Sequence, residues 1–234
     1  RVNVAVITAR GGSKRIPRKN IKQFCGRPMI AWPIEVAKQS KLFEHILVST
    51  DDEEIAKVAK KYGAKVPFMR SSENADDHSS TADVIVEVIT SYESQNRSFD
   101  FICCIYPTAP LIKENNLHEA KSLLVDNYFT TVLPVTPFSY PIWRSLKLEG
   151  NKVKMNWPEH LNSRSQDLPL AYHDAGQFYW LDCKKFLADP RLFSEMSGAI
   201  ILAETEVQDI DNESDWKIAE AKYLKDYFYE YFIT

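Results

Sequence analysis

Val2-Asn3-Val4-Ala5-Val6-Ile7-Thr8-Ala9-Arg10-Gly11-Gly12-Ser13-Lys14-Arg15-Ile16-Pro17-Arg18-Lys19-Asn20 is the stretch whose reading decides the fold. The apolar, β-branched run from Val2 to Ala9 predicts a buried strand. Paired glycines then let the backbone turn tightly with N–H groups pointing inward. Ser13 adds a hydroxyl donor, and Arg10, Lys14, Arg15, Arg18 and Lys19 surround the loop with positive charge. That chemistry suits a polyphosphate, although the spacing is neither a Walker A loop nor GxGxxG. Taken alone, the loop reads as a solvated basic turn. Its place at a strand C-terminus and its charge density favour phosphate binding.

Strands and helices alternate outward from this loop. Ile46–Ser49, Lys65–Met69, Phe99–Tyr106 and Thr130–Val135 read as further strands. Ile55, Val58, Ala59 and Tyr62 recur at helical spacing, with Asp51 and Glu54 placed for a capping box and Gly63 as the stop. Val84, Ile85, Val88, Ile89 and Tyr92 mark a helix behind Ser80 or Thr81, and Leu117, Ala120 and Leu124 mark another. The helix after Arg27 must start near Pro33 or kink there, because proline removes a backbone donor. Such alternation predicts an α/β fold with a mostly parallel sheet covered on both faces, and ligands beyond the strand C-termini.

The alternation breaks near Thr136. Leu146–Leu148 and Val153–Met155 flank a Glu-Gly-Asn turn and predict a hairpin. Residues 137–171 therefore read as an arm inserted into a core formed by 1–136 and 172–234. The core resumes at Gln177–Leu181 and closes with a helix from about Ser214. Trp216, Ala219, Tyr223, Tyr227 and Tyr231 form one stripe on that helix and read as a buried face.

The chain has 234 residues, 44% hydrophobic and 26% charged, which excludes disordered and collagen-like classes. Net charge is −3, so a nucleic-acid partner gains nothing from bulk electrostatics. Yet Arg10 to Arg27 holds seven basic side chains before the first acid, Glu35. No apolar run approaches the roughly 18 residues of a membrane helix, and the first residues lack a signal-peptide pattern. The four cysteines show no CxxC spacing and read as reduced core residues. The expectation is a cytoplasmic protein with no membrane partner.

Two more constellations carry chemistry. Asp209-Ile210-Asp211 lies near the end of the last strand-like region, where carboxylates two apart point to one side and can share a hard divalent cation. The competing reading makes Asp211 or Ser214 the N-cap of the final helix. The segment Arg164–Pro169, followed by Tyr172–Tyr179, is dense in polar and aromatic groups where the arm returns to the sheet. Arg164 suits carboxylate capture. His173 by itself reads as structural. Arg70 and Tyr106-Pro107-Thr108-Ala109-Pro110 would line the same edge, and Asp51-Asp52 reads as a helix cap.

The first loop resembles the signature of the CMP-sialic acid synthetase family of cytidylyltransferases, A-R-x-x-S-K-x-x-x-x-K-N after an apolar strand, here filled by Ala9, Arg10, Ser13, Lys14, Lys19 and Asn20. The similarity continues through Val48–Asp51, Arg70, Pro107–Pro110, Arg164 with Gln166–Pro169, and Asp209–Asp211. Within the family the chain most resembles the pseudaminic acid branch, through Cys104–Pro110, Arg164–Leu168 and Tyr172–Trp180. It departs from the sialic acid branch in carrying Tyr106 where Gln is typical and Ala175-Gly176 where Asn-Gly is typical.

The resemblance implies a Rossmann-like three-layer nucleotidyltransferase fold whose arm pairs two copies into a homodimer. It implies transfer of CMP from CTP to the anomeric hydroxyl of a nine-carbon 2-keto acid sugar, with Mg2+ held by Asp209 and Asp211. Arg10, Lys19 and both aspartates would be catalytic. Ala9, Arg10, Gly12, Ser13, Lys14, Lys19, Asn20, Arg70, Ser80 and Thr81 would bind the nucleotide. Tyr106, Arg164, His173, Gln177 and Tyr179 would bind the sugar. Sialic and legionaminic acids are the alternative acceptors. A non-catalytic nucleotide-sugar binding module is the rival class, and retention of both Asp209 and Asp211 argues against it.

Overall fold

The computed structural model describes residues 2–71 and 80–232, with side chains of the last helix placed through residue 226. Strand β1 (Asn3–Thr8) is the hub of the sheet. Val4 and Val6 enter one apolar cluster while Ala5 and Ile7 enter the other, so both faces are covered. A two-residue pair, β2 (Gln23–Phe24) and β3 (Arg27–Pro28), follows the basic loop and leads into α1 (Ala31–Ser40). Pro33 sits in the first turn of α1, where a missing N–H costs no helical bond. Then come β4 (His45–Ser49), α2 (Glu53–Lys61), α3 (Thr81–Glu93), β5 (Phe101–Ile105), α4 (Glu114–Asp126) and β6 (Thr131–Pro137).

Beyond β6 the chain leaves the sheet for the hairpin of β7 (Leu146–Glu149) and β8 (Lys152–Met155). It returns at β9 (Tyr172–Asp174) and β10 (Phe178–Asp182), then forms α5 (Cys183–Ala188), β11 (Ser197–Ile201) and α6 (Glu213–Phe232). Among the described residues the main sheet runs β11-β6-β10-β5-β1-β4, with β9 also against β6. β1 pairs in parallel with β4 and β5, as does β11 with β6, whereas β9 and β10 run antiparallel. The sheet is thus mostly parallel, as expected, with an antiparallel insertion at the return of the arm.

Ile34 and Ala37 of α1, Ile55 and Ala59 of α2, and Leu117 and Leu124 of α4 pack on one face. Ile85, Val88 and Ile89 of α3, with Phe186 of α5, cover the other. Trp216 and Ala219 of α6 form a smaller core with Ile16, Phe24 and Met29, and Tyr223 packs beside Trp32 at a centroid distance of 4.7 Å. The expected aromatic stripe is therefore buried through Tyr223, while the side chains of Tyr227 and Tyr231 lie outside the described residues.

Four local expectations need correction. Lys65–Met69 is not a strand: Lys65 alone bridges Leu47, because Pro67 has no N–H with which to extend a ladder. The N-cap of α2 is Asp52, whose side chain accepts from Glu54 and Ile55, and not Asp51. The Asp209–Asp211 segment lies in no strand. The start of α6 is closed by Asn212 and Asp215, each side chain accepting the other's backbone N–H (2.9 and 3.2 Å), so neither Asp211 nor Ser214 is the cap. Of the cysteines, Cys103, Cys104 and Cys183 are buried and free, whereas Cys25 is half-buried in the β2–β3 turn. Among the described residues no helix is long and apolar enough to cross a membrane.

Candidate active site

A cleft of about 450 Å³ lies over the C-terminal ends of β1 and β5 and beside the start of α3. Thr8, Arg10, Ser13, Lys14, Arg15, Lys19, Asn20, Arg70, Ser80, Thr81, Tyr106, Thr108 and Asp211 contribute to its walls. This is where a parallel sheet presents loop backbone and strand ends to a ligand.

The seven cations of the basic loop divide into two groups. Arg18 makes a two-point contact with Asp52 (2.6 and 2.8 Å) and a third with Glu54 (2.7 Å). Lys22 pairs with Glu213 at 2.7 Å, and Arg27 lies over the Trp32 ring at 5.4 Å. These three fasten the loop to α2, α6 and α1. Arg10, Lys14, Arg15 and Lys19 line the cleft. Only contacts more than thirty residues away separate Arg18 and Lys22 from the cleft group, which is why composition alone did not divide them.

The glycine pair also works differently from expectation. The Gly11 N–H donates to Asp51 Oδ1 at 2.9 Å rather than into the cleft. A Cβ on Gly11 would stand 2.6 Å from Asp52 Oδ2, so a side chain there collides with the acceptor of Arg18. Asn20 is buried and donates to the Arg10 carbonyl at 2.9 Å, closing the loop on itself.

Opposite the loop stands the segment before α6. Lys222 donates to the carbonyls of Glu204 (3.0 Å) and Val207 (2.6 Å), and Gln177 donates to that of Glu206 (2.8 Å). Lys19 Nζ reaches the Ile210 carbonyl at 3.1 Å. Burial pushes the Asp209 carboxyl above its ordinary value, and the adjacent charge and hydrogen bond of Asp211 push it further. The two carboxylates therefore converge although no strand aligns them.

Arg70 is buried, its guanidinium donating to the Ser49 carbonyl (2.8 Å) and Ser49 Oγ (3.3 Å), and burial lowers its pKa from the ordinary arginine value. Ser80 caps α3 in a reciprocal box with Asp83. The Tyr106 hydroxyl lies 3.5 Å from Thr81 Oγ1, and burial pushes its pKa up to about 12.

Other sequence-predicted residues lie off the cleft wall. Ala9 is buried and its N–H donates to Ser49, while Gly12 is exposed. Arg164 is exposed on the arm and pairs with Asp167 at 2.8 Å. His173 is exposed, its Nδ1 being 2.9 Å from the Asp174 carbonyl. Gln177 is buried and bonded to the Glu206 carbonyl, and Tyr179 is buried beside Tyr106 with ring centroids 6.0 Å apart. Sequence reasoning gave Thr8 no place at the site, and placed Arg15 in the basic loop and Thr108 on the sheet edge without a ligand role. The position of Thr8 at the C-terminal end of β1 was the available signal.

A family model described as Cytidylyltransferase matches residues 4–197. The chain belongs to the cytidylyltransferase family. It is 45% identical over 222 residues to the pseudaminic acid cytidylyltransferase of Campylobacter jejuni subsp. jejuni serotype O:23/36 (strain 81-176), covering 94% of this chain and 96% of that one. It is 34% identical to the CMP-N,N'-diacetyllegionaminic acid synthase of Legionella pneumophila subsp. pneumophila, over 93% of this chain and 94% of that one. Among solved structures, a CMP:2-keto-3-deoxy-manno-octonic acid synthetase complexed with CTP superposes with a TM-score of 0.70, covering 97% of this chain and all of that one. At 18% identity this last match speaks to the fold alone.

Proposed function

We propose that this cytidylyltransferase transfers CMP from CTP to the anomeric hydroxyl of pseudaminic acid and releases pyrophosphate. The observation that carries the reading is the convergence of Arg10, Ser13, Lys14 and Lys19 with Asp211 on one cleft, fastened by the Lys19–Ile210 hydrogen bond. A polyphosphate needs the first group. Binding alone has no need of paired acids beside it.

Asp209 and Asp211 suit Mg2+, since this ion is usually held by one or two carboxylates and completes its shell with water and phosphate oxygens. Burial and then the Asp211 charge raise Asp209, and the second of these is the charge pattern a divalent cation relieves. When bound there, Mg2+ supplies Lewis-acid neutralisation of the phosphates. Arg10, Lys14 and Lys19 hold the triphosphate and stabilise charge on the α-phosphate and the departing pyrophosphate during in-line attack by the sugar oxygen. Asn20, Arg70, Ser80 and Thr81 hold the nucleoside. Tyr106, with Tyr179 behind it, shapes the acceptor end, and Arg164 of the arm and His173 of β9 are assigned to the sugar from outside the cleft wall. Gln177 acts by holding the Glu206 carbonyl.

We also assign the arm to pairing with a second copy. Leu146, Leu148 and Val153 of its hairpin are all exposed, and Leu161 and Leu170 add to the apolar surface.

The reaction is tested by pyrophosphate release from CTP and Mg2+ with pseudaminic acid, N-acetylneuraminic acid, or no sugar. Release with pseudaminic acid alone is the expected result. Release with N-acetylneuraminic acid alone overturns the acceptor assignment, and release with neither from protein that binds CTP overturns the reaction.

A further inference from the structure

Asp174 lies in the polar and aromatic segment Tyr172–Tyr179, but no role in the site has been assigned to it. It ends β9 opposite Val135 of β6, and the chain then breaks register before β10 begins at Phe178. The break is a tight turn: the Gly176 N–H donates to Asp174 Oδ1 at 2.7 Å, and Gly176 itself has φ +69, a conformation glycine adopts without steric cost. The other carboxylate oxygen, Oδ2, accepts from the Tyr179 hydroxyl. One carboxylate thus closes the turn and fixes a phenol five residues later.

Tyr179 is almost fully enclosed, and its ring is held edge-on between two others. Tyr106 stands 6.0 Å away at 84°, and Phe193 stands 5.9 Å away at 85°. Tyr106 in turn reaches Thr81 at the cleft wall. A continuous path therefore runs from the cleft through Thr81, Tyr106 and Tyr179 to Asp174. Without Oδ2 the buried Tyr179 hydroxyl has lost its acceptor, and a buried unpaired hydroxyl drives the ring to another position.

We propose that Asp174 is a positioning residue for the acceptor sugar, acting through Tyr179 to set the stance of Tyr106 at the acceptor end of the cleft. The proposal rests on the reaction assigned above. It predicts that acceptor recognition depends on one side chain outside the cleft wall, while CTP recognition does not. The nucleotide end is built from the basic loop, Arg70 and α3, and of these Thr81 alone meets the path, through its 3.5 Å contact with the Tyr106 hydroxyl at the end farthest from Asp174.

Steady-state kinetics with CTP, Mg2+ and pseudaminic acid test it. Asp174→Ala raises the acceptor KM about tenfold, the fold-change of one hydrogen bond to a charged acceptor, while the KM for CTP and kcat stay within about twofold. Asp174→Asn keeps one acceptor oxygen for the Gly176 N–H and offers its Nδ2 as a donor to the Tyr179 oxygen, so it restores part of the loss. Tyr179→Phe reproduces the alanine effect, and adding Asp174→Ala to it changes the acceptor KM little further, because both act through one bond.

Equal rises in both KM values, or effects that multiply in the double variant, overturn the proposal. If Asp174→Ala fails to fold, Tyr179→Phe decides, since an unchanged acceptor KM in that variant overturns the positioning role. A wild-type chain that binds CTP but turns over no 2-keto acid sugar overturns the proposed reaction itself. That failure is distinguishable because it appears before any variant is compared.

Discussion

Lys19 Nζ donates to the backbone carbonyl of Ile210 at 3.1 Å, joining the basic loop to the carboxylate segment 191 residues later in the chain. Ile210 stands between Asp209 and Asp211 and its side chain is buried in the α6 core, so its carbonyl is a fixed point. One ammonium thus lines the cleft and sets the distance between its cationic and anionic walls. Lys19→Gln removes the charge and keeps a shorter donor. We expect turnover at saturating CTP to fall on the order of 10²- to 10³-fold, as for other groups that stabilise charge in a transition state. The folding cost should be only about 1 kcal/mol, that of one hydrogen bond. Pyrophosphate release together with thermal unfolding checks this, and near-normal turnover in a folded variant removes Lys19 from the catalytic group.

The Arg18 contact with Asp52 has a pH signature. The guanidinium holds the Asp52 carboxyl down to about 2, helped by the backbone N–H groups of Ile55 and Glu54. An acid with a depressed folded pKa contributes stability that is complete above its unfolded value of 3.8 and is lost as the pH falls through about 2. Arg18 is 39% exposed, which screens the interaction, so Arg18→Ala should cost about 1 kcal/mol near pH 6. The gap between variant and wild type should close between about pH 4 and pH 2. Urea unfolding across that range measures it, and a pH-independent gap means that Arg18 acts by packing alone.

Asp209 has the opposite sign. Its carboxyl is raised by burial and then by Asp211, so its ionised form at neutral pH opposes folding rather than favouring it. Asp209→Asn removes that strain. In the absence of metal the variant should unfold about 1 to 2 °C higher, a gain of about 0.5 kcal/mol after allowing for its exposure. The same variant should lose Mg2+-dependent turnover by about 10²-fold or more. Mg2+ should raise the unfolding temperature of the wild type and leave that of the variant unmoved. A metal-free variant less stable than wild type contradicts the repulsion.

How much of this was legible in the sequence follows the range of each interaction. β1, α2 and α3 were readable because their signals are local: an unbroken apolar run, an i, i+3, i+4 stripe, and a second stripe from Val84 to Tyr92 behind Ser80 or Thr81. β11 was not, since Ser197-Gly198-Ala199-Ile200-Ile201 becomes a strand only once β6 offers it a parallel edge. β9 and β10 both run antiparallel to β6 because the arm returns along it, with a register break at Asp174, and an alternation pattern encodes neither. Within the site, residue types named the chemistry, but not which cations serve it. Arg18 and Lys22 carry the same charge as Lys14 and Arg15, and only their partners Asp52 and Glu213 remove them from the cleft.

The hairpin arm supplies a test of assembly that leaves the cleft untouched. Leu148 of β7 lies opposite Val153 of β8, and the two are 75% and 56% exposed. An isolated two-stranded hairpin is marginal in water, so apolar side chains on it serve best when a partner covers them. Changing both residues to one charge would break the hairpin by repulsion and confuse unfolding with dissociation. Leu148→Glu combined with Val153→Lys instead places opposite charges across the pair, which keeps the strands together while removing the apolar surface. Light scattering at micromolar concentration should report a dimer for the wild type and a monomer for the double variant. CTP binding to the variant should survive, since no cleft residue has changed. A wild-type monomer, or a variant dimer of undiminished affinity, places the apolar hairpin outside any interface between copies.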